Sequence, residues 1–546
     1  VHPQTDKSFL LLFFKKEDLP SLLLLLLSAV CVALAWYIPA RPVDPPGGGQ
    51  KFASLSFGAY RPWESPLTDH FATAAEADED MALIARVATA TRTYSAVEGN
   101  YEIAALAQKH GVKLWQGIAL GADRAKNDIE MARAIALANK YPDTIIRVVV
   151  GNEVLLRRDL PPAELIADID RVKHAIKQPV AYADVWNFWQ QFPQVAAHVD
   201  VMLIHLLPYW EDVPTGIDRA VPYVGQVFDR MRAAFPGKQI AIGETGWPSR
   251  GRARADAVPS RVNETIFLRQ FLTLAQARHF DYNFIEAFDQ IWKYRSEGIV
   301  GASWGIFDAE RRTKIPLSGP VSNDPDWPAH AAESIVTGLL LYAVGMWRGA
   351  ALQRARRDVI AVAAMALGTA LVFAAVTAWQ TLFDIHLAIA AAVNVPAQAA
   401  LAVLAMLRLG GVLAASPGRN GANATQAARA FLTRLQPPKF VGAFEDLGFL
   451  FVWTAAVMQM LLWCDGRYRE FPLSTFAVPI LVTLGRALCG DLPRAGGGRE
   501  ELCVGLVLAG AAIGSALTEG PLNTQSLVWN ACALILAAPP LLRRPN

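Results

Sequence analysis

Two hydrophobic patterns divide this chain of 546 residues. Between residues 51 and 328 the apolar positions form short runs separated by amphipathic stretches; before and after, they gather into long uncharged blocks. The short runs begin near Phe52, Thr91, Lys113, Ile145, Val180, Val199, Gln239 and Tyr282, and several are rich in β-branched residues, as in IIRVVV from Ile145. Helical periodicity fills gaps between them, at Asp78–Ala88, Ile129–Asn139 and Pro161–Ile176. Alternating strands and helices with buried strands predict an α/β fold on a parallel sheet. Eight such units in roughly 250 residues predict a closed (β/α)8 TIM barrel. A doubly wound open sheet is the rival, but its first turn should carry G-x-G-x-x-G. Here that turn reads FGAYRP from Phe57, and no Walker A motif is present.

The long blocks predict membrane helices. The first, Ser21–Ile38, is uncharged and near the length that crosses a bilayer. A signal peptide competes with this reading, but IPAR from Ile38 is a poor small-residue cleavage site, so an uncleaved anchor is favoured. The chain opens on Val1 rather than Met, so its natural N-terminus is expected to be missing or atypical. Seven more apolar stretches lie near 334–347, 359–378, 385–407, 447–464, 472–489, 502–517 and 526–541, which makes eight spans. The predicted organisation is a cytoplasmic segment 1–20, an anchor 21–38, a Pro/Gly linker 39–50, a glycosidase-like barrel domain 51–328 and a seven-helix transmembrane α-helical bundle 329–546.

Lys and Arg in short loops set direction. With the loops numbered alternately from inside, the inner set holds Lys7, Lys15, Lys16, Arg348, Arg354, Arg356, Arg357, Arg408, Arg419, Arg429, Arg434, Lys439, Arg486, Arg494, Arg499, Arg543 and Arg544. The outer short loops hold only Arg467 and Arg469. This bias places both termini in the cytoplasm and the barrel outside the membrane.

Composition narrows the classes. Charged residues make up 18% and hydrophobic residues 53%, where a soluble domain carries about 25% charged, so a disordered chain is excluded and a purely soluble one is not expected. The net charge of +2 gives no basic field for nucleic acid. The five cysteines, Cys31, Cys464, Cys489, Cys503 and Cys532, sit in or beside apolar runs without metal-ligand spacing, so neither a disulfide framework nor a zinc site is expected. The barrel segment has no cysteine and is compatible with an oxidising compartment. The few ionisable residues near the spans, Asp384 and Glu445, mark no ion pathway.

Barrel chemistry belongs at the carboxyl ends of the strands. Strand four runs into Gly151-Asn152-Glu153 and strand seven into Glu244-Thr245-Gly246-Trp247. Strands four and seven lie on opposite sides of the mouth, so Glu153 and Glu244 can face each other. Glycosidic cleavage needs this pairing, because one carboxyl protonates the leaving oxygen and the other attacks the anomeric carbon. Read singly, either glutamate could equally cap a loop or pair with an arginine.

VVVGNEV at 148–154, IGETGWPS at 242–249, IEAFDQIWK at 285–293 and VGASWGIFD at 300–308 resemble glycoside hydrolase family 17, the β-1,3-glucanase family, over about residues 52–318. The resemblance implies a retaining enzyme with Glu153 as acid/base and Glu244 as nucleophile. It makes Asn152 a sugar-binding neighbour of the acid/base and Trp247 a stacking platform. Glu286, Trp292, Lys293 and Glu297 resemble the family's accessory cleft residues, with a structural Lys–Glu pair as the alternative. Tyr94 ends strand two as a substrate contact or a buried tyrosine. Tyr209 joins the substrate-binding candidates, although HLLP from His205 stands where plant members read Asn-x-Tyr-Pro, which leaves the tyrosine that orients the nucleophile open. His205 itself reads as a packed strand histidine. Asp78-Glu79-Asp80 reads as a solvated helix face, and the sequons at Asn263 and Asn423 as chance. No metal or cofactor is implied.

Bacterial membrane proteins with this layout are generally described as β-glucan synthesis or remodelling enzymes, often as β-(1,6)-glucan synthases. The expected protein is therefore a multi-pass enzyme of the bacterial inner membrane with a periplasmic domain that transglycosylates β-1,3-(1,6-)glucan. Its expected partners are a β-glucan oligo- or polysaccharide and the lipid bilayer, with a membrane glucan synthase as a further candidate and no nucleic acid. The alternatives are an endo-β-1,3-glucanase that only hydrolyses, and a non-catalytic glucan-binding or export component.

Overall fold

A computed structural model describes residues 19–348, 352–413, 423–433, 440–491 and 499–542. Lys7, Lys15, Lys16, Arg419, Arg434, Lys439, Arg494, Arg543 and Arg544 of the charge pattern, and most of the segment 1–20, lie outside the described residues. The chain divides into two compact units, one of Pro42–Ser322 and one of Val1–Arg41 with Asn323–Asn546.

Eight parallel strands close the first unit into a barrel in sequential order. They are β1 (Leu55–Ser56), β2 (Ala90–Arg92), β3 (Lys113–Ile118), β4 (Ile145–Asn152), β5 (Val180–Val185), β6 (Val201–His205), β7 (Gln239–Thr245) and β8 (Tyr282–Phe284). All eight predicted strands are present. β1 and β8 contribute only two and three residues, and one pair, Leu55 with Phe284, closes the ring. The helices follow the predicted periodicity, at Ala74–Val87, Arg124–Lys140 and Pro162–Ala175. The first has a capping box in which Thr73 and Glu76 satisfy each other's backbone N–H groups.

Side chains that alternate along the strands give two apolar layers. Inside the barrel, Ala90, Val149, Ala181, Ala183, Val201, Leu203 and Ala241 pack round Trp115. Outside it, larger residues such as Met81, Ile169, Phe228 and Phe271 bury the helices on the sheet. Asp80 belongs to this buried framework and not to a solvated face. It is fully buried and ion-paired with Arg61 and Arg311, both at 2.8 Å. The Pro/Gly segment lies against the barrel. The buried Arg269 donates to Asp44 (2.8 Å) and to the Pro45 carbonyl (2.6 Å). Gly47 fits because a Cβ there would meet Thr273 at 2.7 Å.

The second unit is helical. Each predicted apolar stretch falls on a helix: Leu19–Ala40, Trp327–Gly345, Arg354–Gln380, Ile385–Leu409, Phe440–Cys464, Ala477–Leu488, Arg499–Glu519 and Thr524–Leu541. Among the described residues, five of these are long and apolar enough to cross a membrane. The helices at Trp327–Gly345, Ala477–Leu488 and Thr524–Leu541 fall short of that measure. The first begins with polar residues including His330 and Glu333, and the second has only 12 residues after a 3-10 turn at Ser474–Phe476. The third buries polar groups: Asn530 accepts from Gln459 (3.0 Å), whose carbonyl takes the Trp529 indole N–H. A short helix at Ala424–Thr433 was not foreseen by the apolar pattern.

Candidate active site

Both glutamates stand where strand pairing slips. The β4–β5 register shifts between Val149 and Asn152, and the β6–β7 register shifts so that His205 pairs with Glu244. An extra residue re-aims the side chains that follow it. On β7 alternation from Ala241 would turn residue 244 outward; the slip returns Glu244 to the barrel mouth. On β4 the turn uses Gly151 at φ 86°, where a Cβ would meet Val154 at 2.8 Å. Glu153 follows in the left-handed region at φ 53°, a costly conformation for a side-chain-bearing residue and one that concentrates at functional sites. Its own N–H is held by the Ala183 carbonyl at 2.8 Å.

The two carboxylates meet around His205. One oxygen of Glu153, one ring nitrogen of His205 and one oxygen of Glu244 all lie within 4.8 Å of one another. His205 Nδ1 is 2.9 Å from Glu153 Oε1, and its Nε2 is 3.7 Å from Glu244 Oε1. The ring fits because Gly243 has no Cβ; one would lie 2.9 Å from His205 Cδ2. Arg92 Nη1 lies 3.3 Å from Glu244 Oε1, which brings fixed positive charge to the same oxygen.

Glu244 Oε1 accepts from both Arg92 and Tyr94. Arg92 also donates to the Gly243 carbonyl (2.9 Å) and, through Nη2, to Asn152 Oδ1 (2.5 Å), so one guanidinium ties the end of β7 to the end of β4. Tyr94 donates to Glu244 Oε1 at 2.9 Å. Behind it Ser56 contacts the Tyr94 hydroxyl at 2.7 Å and Asn283 donates to Ser56 at 2.6 Å, a chain drawn from β8, β1 and the end of β2. Burial and the charge of Glu244 push the Tyr94 phenol well above its ordinary value, which keeps it a donor.

Burial acts to raise the Glu153 carboxyl, but the hydrogen bond and charge of His205, with Arg157 and Arg92 beyond, hold it below the usual carboxylate range. Glu286 accepts two bonds from Lys293 at 2.8 and 2.9 Å, and burial pushes its carboxyl up to about 7 against the pull of that ammonium. Burial also raises Glu297, whose charge is felt by Lys293 and which itself feels Glu153 and Glu244. Trp292 is half-buried, edge-on to Tyr60 at 6.0 Å, and donates its indole N–H to Gln290.

Two expected binding residues do not face the mouth. Trp247 is fully buried, donates to the Val258 carbonyl (3.2 Å) and stacks on Phe267, so it offers no face to a sugar. It lies three residues beyond Glu244, which puts it on the opposite side of the extended chain. Tyr209 is 1% exposed and donates to the Arg252 carbonyl at 2.7 Å; the tyrosine hydroxyl that reaches Glu244 is that of Tyr94. The half-buried Trp210, parallel to Trp304 at 6.5 Å, is the indole with some free surface beside them. Arg92, His205, Ser56 and Asn283 were missed as site residues. His205, after VMLI, is marked in the sequence as a polar residue ending an apolar strand, whereas Arg92 and Ser56 have other polar residues near them.

This geometry can be set beside known proteins. Residues 58–305 match the family described as the BtgE/BtgC glycoside hydrolase domain. A glucan 1,3-beta-glucosidase of Arthroderma benhamiae is 26% identical over 272 residues, covering 46% of this chain and 87% of that protein. One of Schizosaccharomyces pombe is 28% identical over 258 residues, covering 44% and 79%. The crystal structure of a glycoside hydrolase family 17 beta-1,3-glucanosyltransferase from Rhizomucor miehei is 28% identical with a TM-score of 0.43, covering 49% of this chain and 98% of that one. The barrel of this chain is a glycoside hydrolase domain, similar to the BtgE/BtgC domain over residues 58–305.

Proposed function

We propose that this protein is a membrane-anchored retaining enzyme that cleaves β-1,3-glucan and transfers the cleaved glycosyl group to a glucan acceptor. The observation that carries the reading is the approach of Glu153 and Glu244 oxygens to within 4.8 Å. Retaining glycosidases hold their carboxyls about 5–5.5 Å apart, whereas inverting enzymes leave room for a water between them. Glu153 protonates the glycosidic oxygen as Glu244 attacks the anomeric carbon. The leaving sugar departs with the proton, and a covalent glycosyl ester remains on Glu244. An acceptor hydroxyl then attacks that carbon, Glu153 takes its proton, and Glu244 leaves as carboxylate. Water in the acceptor's place gives hydrolysis by the same steps. Asn152 and Tyr94, tied to the carboxylates, are assigned to orienting substrate and nucleophile, and Trp292, Lys293, Glu286 and Glu297 to the rim of the cleft.

The names of the relatives, glucan 1,3-beta-glucosidases and a beta-1,3-glucanosyltransferase, support β-1,3-glucan as the donor. The long apolar helices and the seventeen-to-two Lys/Arg bias support a multi-pass protein with its barrel outside the bacterial inner membrane, where the helical unit would serve a glucan-synthesising partner. Incubation of the purified protein with a β-1,3-linked glucose oligomer tests the reading. Products longer than the substrate, or branched, are expected. Shorter products alone would mean a plain endo-glucanase, and no cleavage would mean a binding component.

A further inference from the structure

We infer that His205 is a positioning residue for the acid/base: its Nδ1–H, donated to Glu153, favours the carboxylate and so sets the pH at which Glu153 gives up its proton. The inference rests on the assignment of Glu153 as acid/base.

The imidazole is 1% exposed, so solvent does not compete for its nitrogens. Nδ1 lies at hydrogen-bond distance from Glu153, 2.9 Å, whereas Nε2, 3.7 Å from Glu244, makes no hydrogen bond among the described residues. A carboxylate can only accept, so Nδ1 donates to Glu153 whenever Glu153 is ionised. The ring has no room to turn away. Gly243 packs on its Cδ2 edge, and the strand carrying it is fixed by the pairing of His205 with Val185 on β5 and with Glu244 on β7.

The direction of the effect follows from every charged group round the pair. Facing Glu153 are His205 on β6, Arg157 on its own short helix and Arg92 on β2, all favouring ionisation, with Glu244 on β7, within 4.8 Å, and Glu297 beyond β8 opposing it as like charges. Asp184 on β5 feels both His205 and Glu153, and burial pushes it up to about 6. Of these only His205 hydrogen-bonds Glu153 directly. When Glu153 passes a proton from its other oxygen to the leaving group, negative charge grows on a carboxyl that already has a donor in place. The bond strengthens as the transfer proceeds, which makes Glu153 a stronger acid in the first step and a weaker base in the second.

The test compares pH profiles of kcat/KM for wild type, His205→Gln and His205→Leu on a β-1,3-linked glucose oligomer and on an aryl glucoside whose leaving group needs no proton. The position of the alkaline limb is read, not the height of the curve, so partial loss of activity does not obscure it. The limb on the oligomer should move to higher pH by on the order of one unit in His205→Leu, with a smaller rise in His205→Gln, whose amide restores an uncharged donor. A purely structural role would lower the curve without moving the limb. A limb that stays in place or moves to lower pH in the active variants overturns the inference. If wild type shows the same limb on both substrates, Glu153 is not the acid, and that assignment falls together with the inference.

Discussion

Tyr94 donates its hydroxyl hydrogen to Glu244 Oε1 at 2.9 Å, and this bond joins the end of β2 to the carboxylate proposed as nucleophile on β7. Hydrogen bonds to charged groups contribute about 1.5–3 kcal/mol. Tyr94→Phe keeps the ring that packs under Arg92, 4.6 Å from its guanidinium, and removes only the donor. It should lower kcat/KM on a β-1,3-glucan oligomer by roughly 10–100-fold. Unchanged kinetics would show that Arg92 alone positions the carboxylate.

Arg92 is the costlier loss. It is 1% exposed and is shared by Glu244, Asn152 and the Gly243 carbonyl. Removing one partner of a buried ion pair costs about 3–5 kcal/mol, because the other charge is left without compensation. Arg92→Met should therefore lower the thermal midpoint of the barrel as well as abolish activity. Tyr94→Phe should leave that midpoint close to wild type.

A pH effect on stability should arise away from the site. Glu264 is fully buried 3.5 Å from Lys314, and burial pushes its carboxyl from 4.5 up to about 8 despite that ammonium. A carboxyl that binds its proton more tightly folded than unfolded stabilises the fold fully below the unfolded value, and that stabilisation is lost as pH rises through the folded one. Stability should thus decline between 4.5 and about 8 through this group. Glu264→Gln, which stays neutral, should flatten the decline. Thermal midpoints across that range check it; identical slopes in wild type and variant would contradict it.

The proposed topology is checked by reporter fusions. A fusion after Arg357 should report cytoplasm, and one in the loop between Cys464 and Pro472 should report the outside. The opposite location at either point would refute eight spans with the barrel outside.

The barrel was legible because its strands are buried on both faces and read as apolar β-branched runs. QIAIG ends directly in Glu244 and IIRVVV leads through Gly151-Asn152 into Glu153, so the carboxylates could be found from position. Side-chain direction was not legible. The slips beside Glu153 and Glu244 depend on pairing with neighbouring strands, and Trp247 and Tyr209 were assigned to the cleft although packing turns both into the interior. His205 stood at the end of an apolar run, where one polar residue reads as a packed exception, and Arg92 stood among threonines; the closed barrel brings β2 and β6 round to the same carboxylates. In the helical unit the apolar runs located the helices. Among the described residues, five of those helices are long and apolar enough to cross a membrane, and the buried polar residues Gln398 and Gln459 inside two of them were not marked by the apolar pattern.

The division of labour between Glu153 and Glu244 is tested most directly by azide rescue of the two alanine variants on an activated aryl β-glucoside. In Glu153→Ala the nucleophile remains and the leaving group needs no proton, so the glycosyl ester still forms; azide, which needs no base, should resolve it and restore turnover with a β-glycosyl azide as product. In Glu244→Ala no ester can form, and azide should give no product of retained configuration. A β-azide from Glu244→Ala, with no rescue of Glu153→Ala, would show that the two roles are reversed.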